Sequence, residues 1–283
     1  MKKIIFTLIV LTSVFFLVYE SKANWIVKST IHRVISIATP GLPRSTINVS
    51  PLYDIIGGLV SYWTLDGNSI NWATGVVSDV SGVGQNGNQI LMSTTTSPIA
   101  GRAGQGLFFD GVNDFIRVPN ATSLKQQNIT VSFWTKPGTQ NNALSQPLDF
   151  SHDAAGAANW VVLSQDATTN RNYLWAYHDG TAYRPTSASG VGVQYTTGVW
   201  QHIAYTKSGT TVIGYKNGVA TWNPTPAGSA TAVYGASPTL DIASYVTANT
   251  QRNFKGEMDE IRVYNRALSA SEIKHLYELS RRF

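Results

Sequence analysis

The sequence predicts an all-β protein closed by one short C-terminal helix, and three observations carry that expectation. From Leu59 onward, short apolar or aromatic runs alternate with clusters of Gly, Asn, Asp, Ser and Thr, the pattern of strands joined by turns. Charged residues make up only 13% of the 283-residue chain and Gly occurs 24 times, which suits strands and turns better than long helices. Helical capping and periodicity coincide in only one place, at the end. Eight Trp and 13 Tyr supply ample apolar area for a core, which excludes a disordered chain.

The elements follow in chain order. Lys2 and Lys3 precede an apolar run from Ile4 to Val18, and Ser21-Lys22-Ala23 places small residues after it. This reads as an export signal over 1–23, with cleavage after Ala23. The run is short for a membrane span, which needs roughly 20 residues, so membrane association follows only if the segment is retained as an anchor. Residues 24–57 are broken by Pro40, Pro43 and Pro51 and read as a spacer or N-terminal arm. The domain then occupies 58–283. Strands are expected near 60–65, 106–110, 114–118, 128–136, 160–164, 172–178, 200–207, 211–216, 238–244 and 257–264. Asn217-Gly218 is a tight-hairpin signal, because both residues tolerate positive φ. Asp110-Gly111 separates two further strands through a longer loop. At the end, Ser269 and Glu272 form a capping box, and Ile273, Leu276 and Tyr277 share one helical face.

Several stretches together resemble the laminin-G-like jelly-roll family of the concanavalin A-like lectin/glucanase superfamily. They are Leu59-Val-Ser-Tyr-Trp-Thr-Leu-Asp-Gly-Asn68, Asp79-Val-Ser-Gly-Val-Gly-Gln-Asn-Gly87 and Gly104-Gln-Gly-Leu-Phe-Phe-Asp-Gly-Val-Asn-Asp-Phe115. Ile129–Lys136, Trp200–Ala204 and Phe254–Ser269 are similar to its core strands and its C-terminal signature. The resemblance covers about residues 59–279. It implies two stacked antiparallel sheets in a jelly-roll sandwich, with carbohydrate or protein binding as the usual role. Function varies among such folds and has to be argued from the site.

Composition narrows the chemistry. No cysteine is present, which excludes disulfides, thiolate metal sites and thiol nucleophiles. Removing the signal segment leaves 18 basic against 15 acidic residues, a net charge of +3. No Lys/Arg stripe accompanies it, so a nucleic-acid partner is not expected. Related folds include glycoside hydrolases that carry Glu-x-Asp-x-(x)-Glu on one strand. Here Glu257-Met258-Asp259-Glu260-Ile261-Arg262 matches only the first two acids. Retaining hydrolysis needs two carboxyl groups roughly 5 Å apart, so no catalysis is expected by this route.

Two binding sites are expected instead. Related sandwiches often hold calcium where an early loop meets the last strand, so Ca2+ is assigned to Asp66, Asn68, the Gly111 carbonyl and Asp259. A carboxylate in phase with Ile261 and Val263 needs a cation, an arginine or several N–H donors. Tyr173, Trp175 and Tyr177 alternate along one strand and share a face. That face reads either as core or, with Trp160 and Trp222, as a platform for stacking sugar rings. The expectation is an exported, secreted or cell-surface module, not an enzyme, that binds a glycan or a cell-surface protein in adhesion. The rival expectation is a structural or protein-interaction module.

Overall fold

The computed structural model describes residues 7–11, 14–18, 55–141, 143–152, 159–167, 170–185, 192–224, 229–235, 238–245 and 252–280. The cleavage point after Ala23, most of the 24–57 arm and the Arg281-Arg282 tail lie outside the described residues. The chain forms two compact units, 1–48 and 49–283. In the first, β1 (Thr7–Leu11) and β2 (Val14–Val18) pair antiparallel. Among the described residues no helix is long and apolar enough to cross a membrane.

The second unit is the sandwich. Its strands are β3 (Leu59–Trp63), β4 (Ile70–Asn71), β5 (Val76–Val77), β6 (Gly87–Ile90), β7 (Pro98–Ala100), β8 (Gln105–Asp110) and β9 (Phe115–Val118). There follow β10 (Ile129–Pro137), β11 (Leu144–His152), β12 (Trp160–Ala167), β13 (Asn170–His178), β14 (Tyr183–Arg184) and β15 (Val193–Gln194). The set ends with β16 (Gln201–Ser208), β17 (Thr211–Lys216), β18 (Val219–Trp222), β19 (Thr239–Ile242), β20 (Lys255–Tyr264) and the helix α1 (Ala270–Ser280). An eight-stranded sheet runs β18-β17-β16-β10-β20-β8-β7, with β3 also paired to β20. A ten-stranded sheet runs β14-β13-β12-β11-β19-β9-β6-β5-β4, with β15 paired to β13. Every ladder in both sheets is antiparallel. This is the two-sheet jelly-roll sandwich with one C-terminal helix that the sequence leads one to expect.

Each expected strand is present, and Asn217 (φ 52°) and Gly218 (φ 79°) turn β17 into β18. The Asp110-Gly111 region does not close a hairpin. β8 lies in the eight-stranded sheet and β9 in the ten-stranded one, so the chain crosses between layers there. Asp110 Oδ1 accepts from the Val112 and Asn113 amides, an Asx turn that reverses the chain without strand pairing.

Between the layers, alternate residues of facing strands interdigitate. Phe109, Val131, Phe133, Ile203, Met258, Ile261 and Val263 come from one sheet, and Ile116, Val118, Leu148, Phe150, Val162 and Trp175 from the other. On the opposite side of the eight-stranded sheet, Ile273 and Leu276 of α1 pack on Ala204, Tyr215, Tyr264 and Leu268. Ile55 joins that cluster, so the end of the segment expected as a spacer belongs to the fold. The capping box is formed. Ser269 Oγ accepts from the Glu272 amide at 3.3 Å, and Glu272 Oε2 accepts from the Ser269 amide at 2.7 Å.

Candidate functional site

The aromatic platform expected along β13 is core. Tyr173, Trp175, Tyr177 and Trp160 are each at most 1% exposed and sit in the inter-sheet cluster. The strand turns these residues inward because large rings gain more by filling the space between sheets than by facing water. Their polar tips are mostly tied inside. Tyr177 Oη donates to the Ser229 carbonyl at 2.8 Å, and Trp160 Nε1 points at the Leu124 carbonyl at 3.4 Å. Trp222 is half-buried and packs edge-on to Tyr205 at 6.1 Å. A sugar outside the sandwich therefore cannot stack on this set.

The residues assigned to calcium separate, but the two acids among them come together. β3 and β8 both pair with β20, β3 along 261–264 and β8 along 255–258. Asp259 lies at the fork between them, facing the 101–104 loop that joins β7 to β8. Its Oδ2 accepts from the Arg102 and Ala103 amides at 2.7 and 2.9 Å. Asp66, just past β3, accepts from the Gln105 amide through Oδ1 at 2.8 Å. Gly104 (φ +69°) makes this approach possible, since a Cβ there would lie 2.4 Å from Asp66 Oδ1. Asp259 is fully buried, and its Oδ1 has no hydrogen-bond partner. Burial pushes its carboxyl up to about 8, with the Ala103 amide pulling the other way.

Gly111 does not belong to this fork. Its neighbour Asp110 is paired with Lys255, four residues before Asp259 on β20, roughly 13 Å along a strand. The Gly111 carbonyl accepts from Asn141 Nδ2 at 3.0 Å. Asn68 is solvent-exposed. The resemblance to related sandwiches assigned Gly111 to the site, but the β8–β20 register puts it at the far end. Among the described residues no group of three or more His, Asp or Glu could hold a metal ion.

The other carboxylates of β20 are held by cations. Lys136 Nζ donates to Glu257 Oε1 at 2.8 Å. Glu260 sits at φ +55°, where the β10–β20 register shifts. Its carboxylate takes the Arg262 guanidinium and, at 2.7 Å, the Tyr62 hydroxyl. Arg262 also lies over the Tyr62 ring, 4.0 Å from its centroid. This cluster belongs to the helix-bearing side of the sandwich.

The opposite outward face, on the ten-stranded sheet, holds a charged site that the sequence reading missed. Register places Asn88 of β6, Arg117 of β9, Asp241 of β19 and Asp149 of β11 side by side across four strands. Arg117 grips Asp241 with a bidentate fork, Nε to Oδ1 at 2.8 Å and Nη2 to Oδ2 at 2.6 Å, the strongest neutral-pH geometry for such a pair. Its guanidinium also lies over the Phe115 ring at 5.1 Å. The bond to Asp241 raises the Arg117 pKa, opposed by burial and reinforced by the Asp241 and Asp149 charges. Asp241 and Asp149 are fully buried, while the Arg117 side chain keeps 34% of its surface. The only local signal is the polar residue alternating with Ile116-Val118 and with Leu240-Ile242, and it does not reveal that these strands are neighbours.

Against known proteins, residues 110–274 match a laminin G family profile described as the concanavalin A-like lectin/glucanases superfamily. No curated protein sequence matches the chain. Among solved structures, the chain is similar to domain 4 of AbnA, a GH43 extracellular arabinanase from Geobacillus stearothermophilus, in complex with arabinotriose. Identity is 21% and the TM-score 0.56, over 77% of this chain and 98% of that one. It is also similar to the binding domain of Paraclostridial Mosquitocidal Protein 1, at 19% identity and TM-score 0.55, over 78% of this chain and 52% of that one. Trypanosoma rangeli sialidase matches at 16% identity and TM-score 0.55, over 78% of this chain but only 33% of the sialidase. At these identities the structural likenesses speak to fold alone. The family match spans more than half of the chain, and the chain belongs to the concanavalin A-like lectin/glucanase superfamily.

Proposed function

We propose that this chain is an exported, non-catalytic module that binds glycans, in adhesion or beside enzymes on other chains, and that its ligand face is the outward side of the ten-stranded sheet. The carrying observation is the contrast between the two outward faces. One is sealed by α1, and the other bears the Arg117–Asp241 pair with the guanidinium still partly open to solvent. A rigid strand-borne fork on an aromatic ring suits recognition, because its geometry is fixed before the ligand arrives. Domains of similar fold occur in complex with arabinotriose and as toxin binding domains, which supports the carbohydrate reading.

The non-catalytic part of the proposal is supported by how the β20 acids are used. Glu257, Asp259 and Glu260 each bond to protein groups in different places. The extracellular part rests on the N-terminal segment Lys2–Ala23. A glycan array with the purified domain tests the reading, and silence across neutral and anionic glycans overturns it. A reducing-end assay on the glycans that bind tests the absence of hydrolysis.

Calcium enters as part of the same proposal, at Asp66 and Asp259 only. The buried, unpartnered Asp259 Oδ1 fits a hard cation, which would relieve the desolvation of two neighbouring carboxylates and stabilise the 101–104 loop. Thermal melts with calcium and with EDTA test it, and identical midpoints remove the metal. The rival reading, a protein-interaction module, is favoured by Val80 and Val83. They are 47% and 49% exposed on a loop that Asp79 pins through the Ser81 and Gln85 amides. A concentration-independent monomer in size-exclusion chromatography counts against self-association through that loop.

A further inference from the structure

Resting on the glycan reading, we infer that the outer edge of the ten-stranded sheet carries a second sugar contact, Tyr183 with His178, that takes one uncharged pyranose ring of a glycan. β14 is the last strand of that sheet, and its Tyr183 pairs with His178 of β13. Both side chains face outward, because Tyr177 next to His178 points into the core. Their rings meet edge-on with centroids 5.3 Å apart. Tyr183 is 37% exposed and His178 is half-buried. Among the described residues Tyr183 is the only solvent-exposed aromatic side chain, and a large ring left in water invites a ligand.

The turn that presents the ring is held still by one carboxylate. Asp179 Oδ1 accepts from the Thr181 amide at 2.9 Å, the Thr181 hydroxyl at 2.7 Å and the Ala182 amide at 2.9 Å. Its Oδ2 accepts from Arg184 Nε at 2.8 Å. Tyr183 is thus tied on both sides in sequence, so little backbone freedom remains to be lost on binding. His178 is oriented as well, since its Nδ1 accepts from the Gly180 amide at 3.1 Å. A neutral imidazole that accepts at Nδ1 carries its proton on Nε2, which makes Nε2 the donor offered to a ligand. On the other flank of His178 stands Val233, 41% exposed, whose amide donates to the His178 carbonyl at 2.9 Å.

The chemistry selects the ligand class. A pyranose chair presents a flat face of C–H groups, which packs on an aromatic ring, and hydroxyls at its rim, which accept from a single N–H. Val233 extends the apolar surface beyond the ring. Arg184, next in sequence to Tyr183, alternates to the other side of β14 and is bonded to Asp179. An apolar ring and a neutral donor are left on the outward side, a match for hydroxyls and not for a carboxylate or sulfate. The contact lies five strands from Arg117 along β14-β13-β12-β11-β19-β9, roughly 24 Å at ordinary strand spacing. It is therefore separate from the Arg117–Asp241 fork.

The test is calorimetric titration of the full chain with cellotriose, mannotriose and xylotriose as neutral pyranose probes and trigalacturonate as the anionic one. The expected result is saturable binding of at least one neutral probe in preference to trigalacturonate. Tyr183→Ala should weaken that binding about tenfold, the loss of a stacked ring. Tyr183→Phe should hold it within about twofold, because the ring and not the hydroxyl makes the contact. His178→Ala should weaken it about fivefold, the loss of one hydrogen bond. Tyr183→Ala, on the surface, keeps the test readable if the His178 variant fails to fold. A neutral probe bound equally by wild type and Tyr183→Ala overturns the contact and leaves the glycan reading standing. Preference for trigalacturonate also overturns the contact alone, as does a loss in Tyr183→Phe as large as in Tyr183→Ala. No binding of any probe by the wild type overturns the contact, and silence on a broader array then takes the glycan reading with it.

Discussion

The two outward faces of the sandwich are built from the same alternation and end differently. On the eight-stranded sheet, Trp134, His202, Ala204, Tyr215 and Tyr264 point away from the core, and α1 covers them. Tyr277 stacks on Trp134 at 5.6 Å, and Trp134 Nε1 donates to Ser280 Oγ at 2.7 Å. Burial drives His202 down to about 3, so it stays neutral at physiological pH. On the ten-stranded sheet the corresponding positions hold Asn88, Arg117, Asp241 and Asp149, with Arg117 paired to Asp241 within the sheet. Under α1 the outward residues are mostly rings, and around Arg117 on the opposite face they are fixed polar groups. In this chain, outward residues follow what lies against them and not merely the strand they occupy.

Four experiments test the contrast between the two faces. The largest effect is expected on the helix-covered face. Trp134→Ala removes a ring 2% exposed and should cost about 3–5 kcal/mol in urea denaturation, with glycan binding intact in the protein that remains folded. A loss of only a few tenths would mean that α1 does not seal this face.

Next comes Asp259, on the same sheet. Its folded-state pKa of about 8 lies above the unfolded value, so the folded chain holds this proton more tightly. In metal-free buffer, stability is therefore fullest below about pH 4 as far as this group is concerned. It falls by a few kcal/mol as pH rises toward 8. Asp259→Asn should flatten that slope, and calcium should flatten it for the wild type if the metal binds. Denaturation midpoints at pH 5, 6, 7 and 8 decide between the two.

A smaller effect is expected on the opposite face. Arg117→Ala removes the cation that grips the buried Asp241 carboxylate. The cost is about 2 kcal/mol, less than for a fully buried pair because the guanidinium is partly exposed. Glycan affinity of the variant should drop. An unchanged affinity would move the ligand face away from Arg117. The smallest effect belongs to the capping box, where Ser269→Ala should cost about 1 kcal/mol by thermal melt and leave binding untouched.

Much of the fold was legible in local signals. Ile129–Lys136, with its alternating apolar residues, and Asn217-Gly218 declare strand and turn without help from the rest of the chain. β11 was not legible. It carries Pro147 and Asp149 inside Leu-Ser-Gln-Pro-Leu-Asp-Phe-Ser-His, residues that argue against a central strand. The register shift between Ser145 and Leu148 explains how the ladder accommodates Pro147. The aromatic triplet on β13 was read correctly as sharing one face, but alternation does not say which side of the sheet that face meets.

The sequence by itself determined the strand-and-turn grammar, the cap of α1 and the presence of an acid at the last strand's midpoint, because these depend on neighbours within a few residues. Only the tertiary structure decided which outward face is sealed, that Gly111 stands apart from Asp259, and that Arg117 meets Asp241 across 124 positions of chain. Those outcomes depend on strand order and register. They are set by how the whole core packs, and no short stretch of residues encodes them.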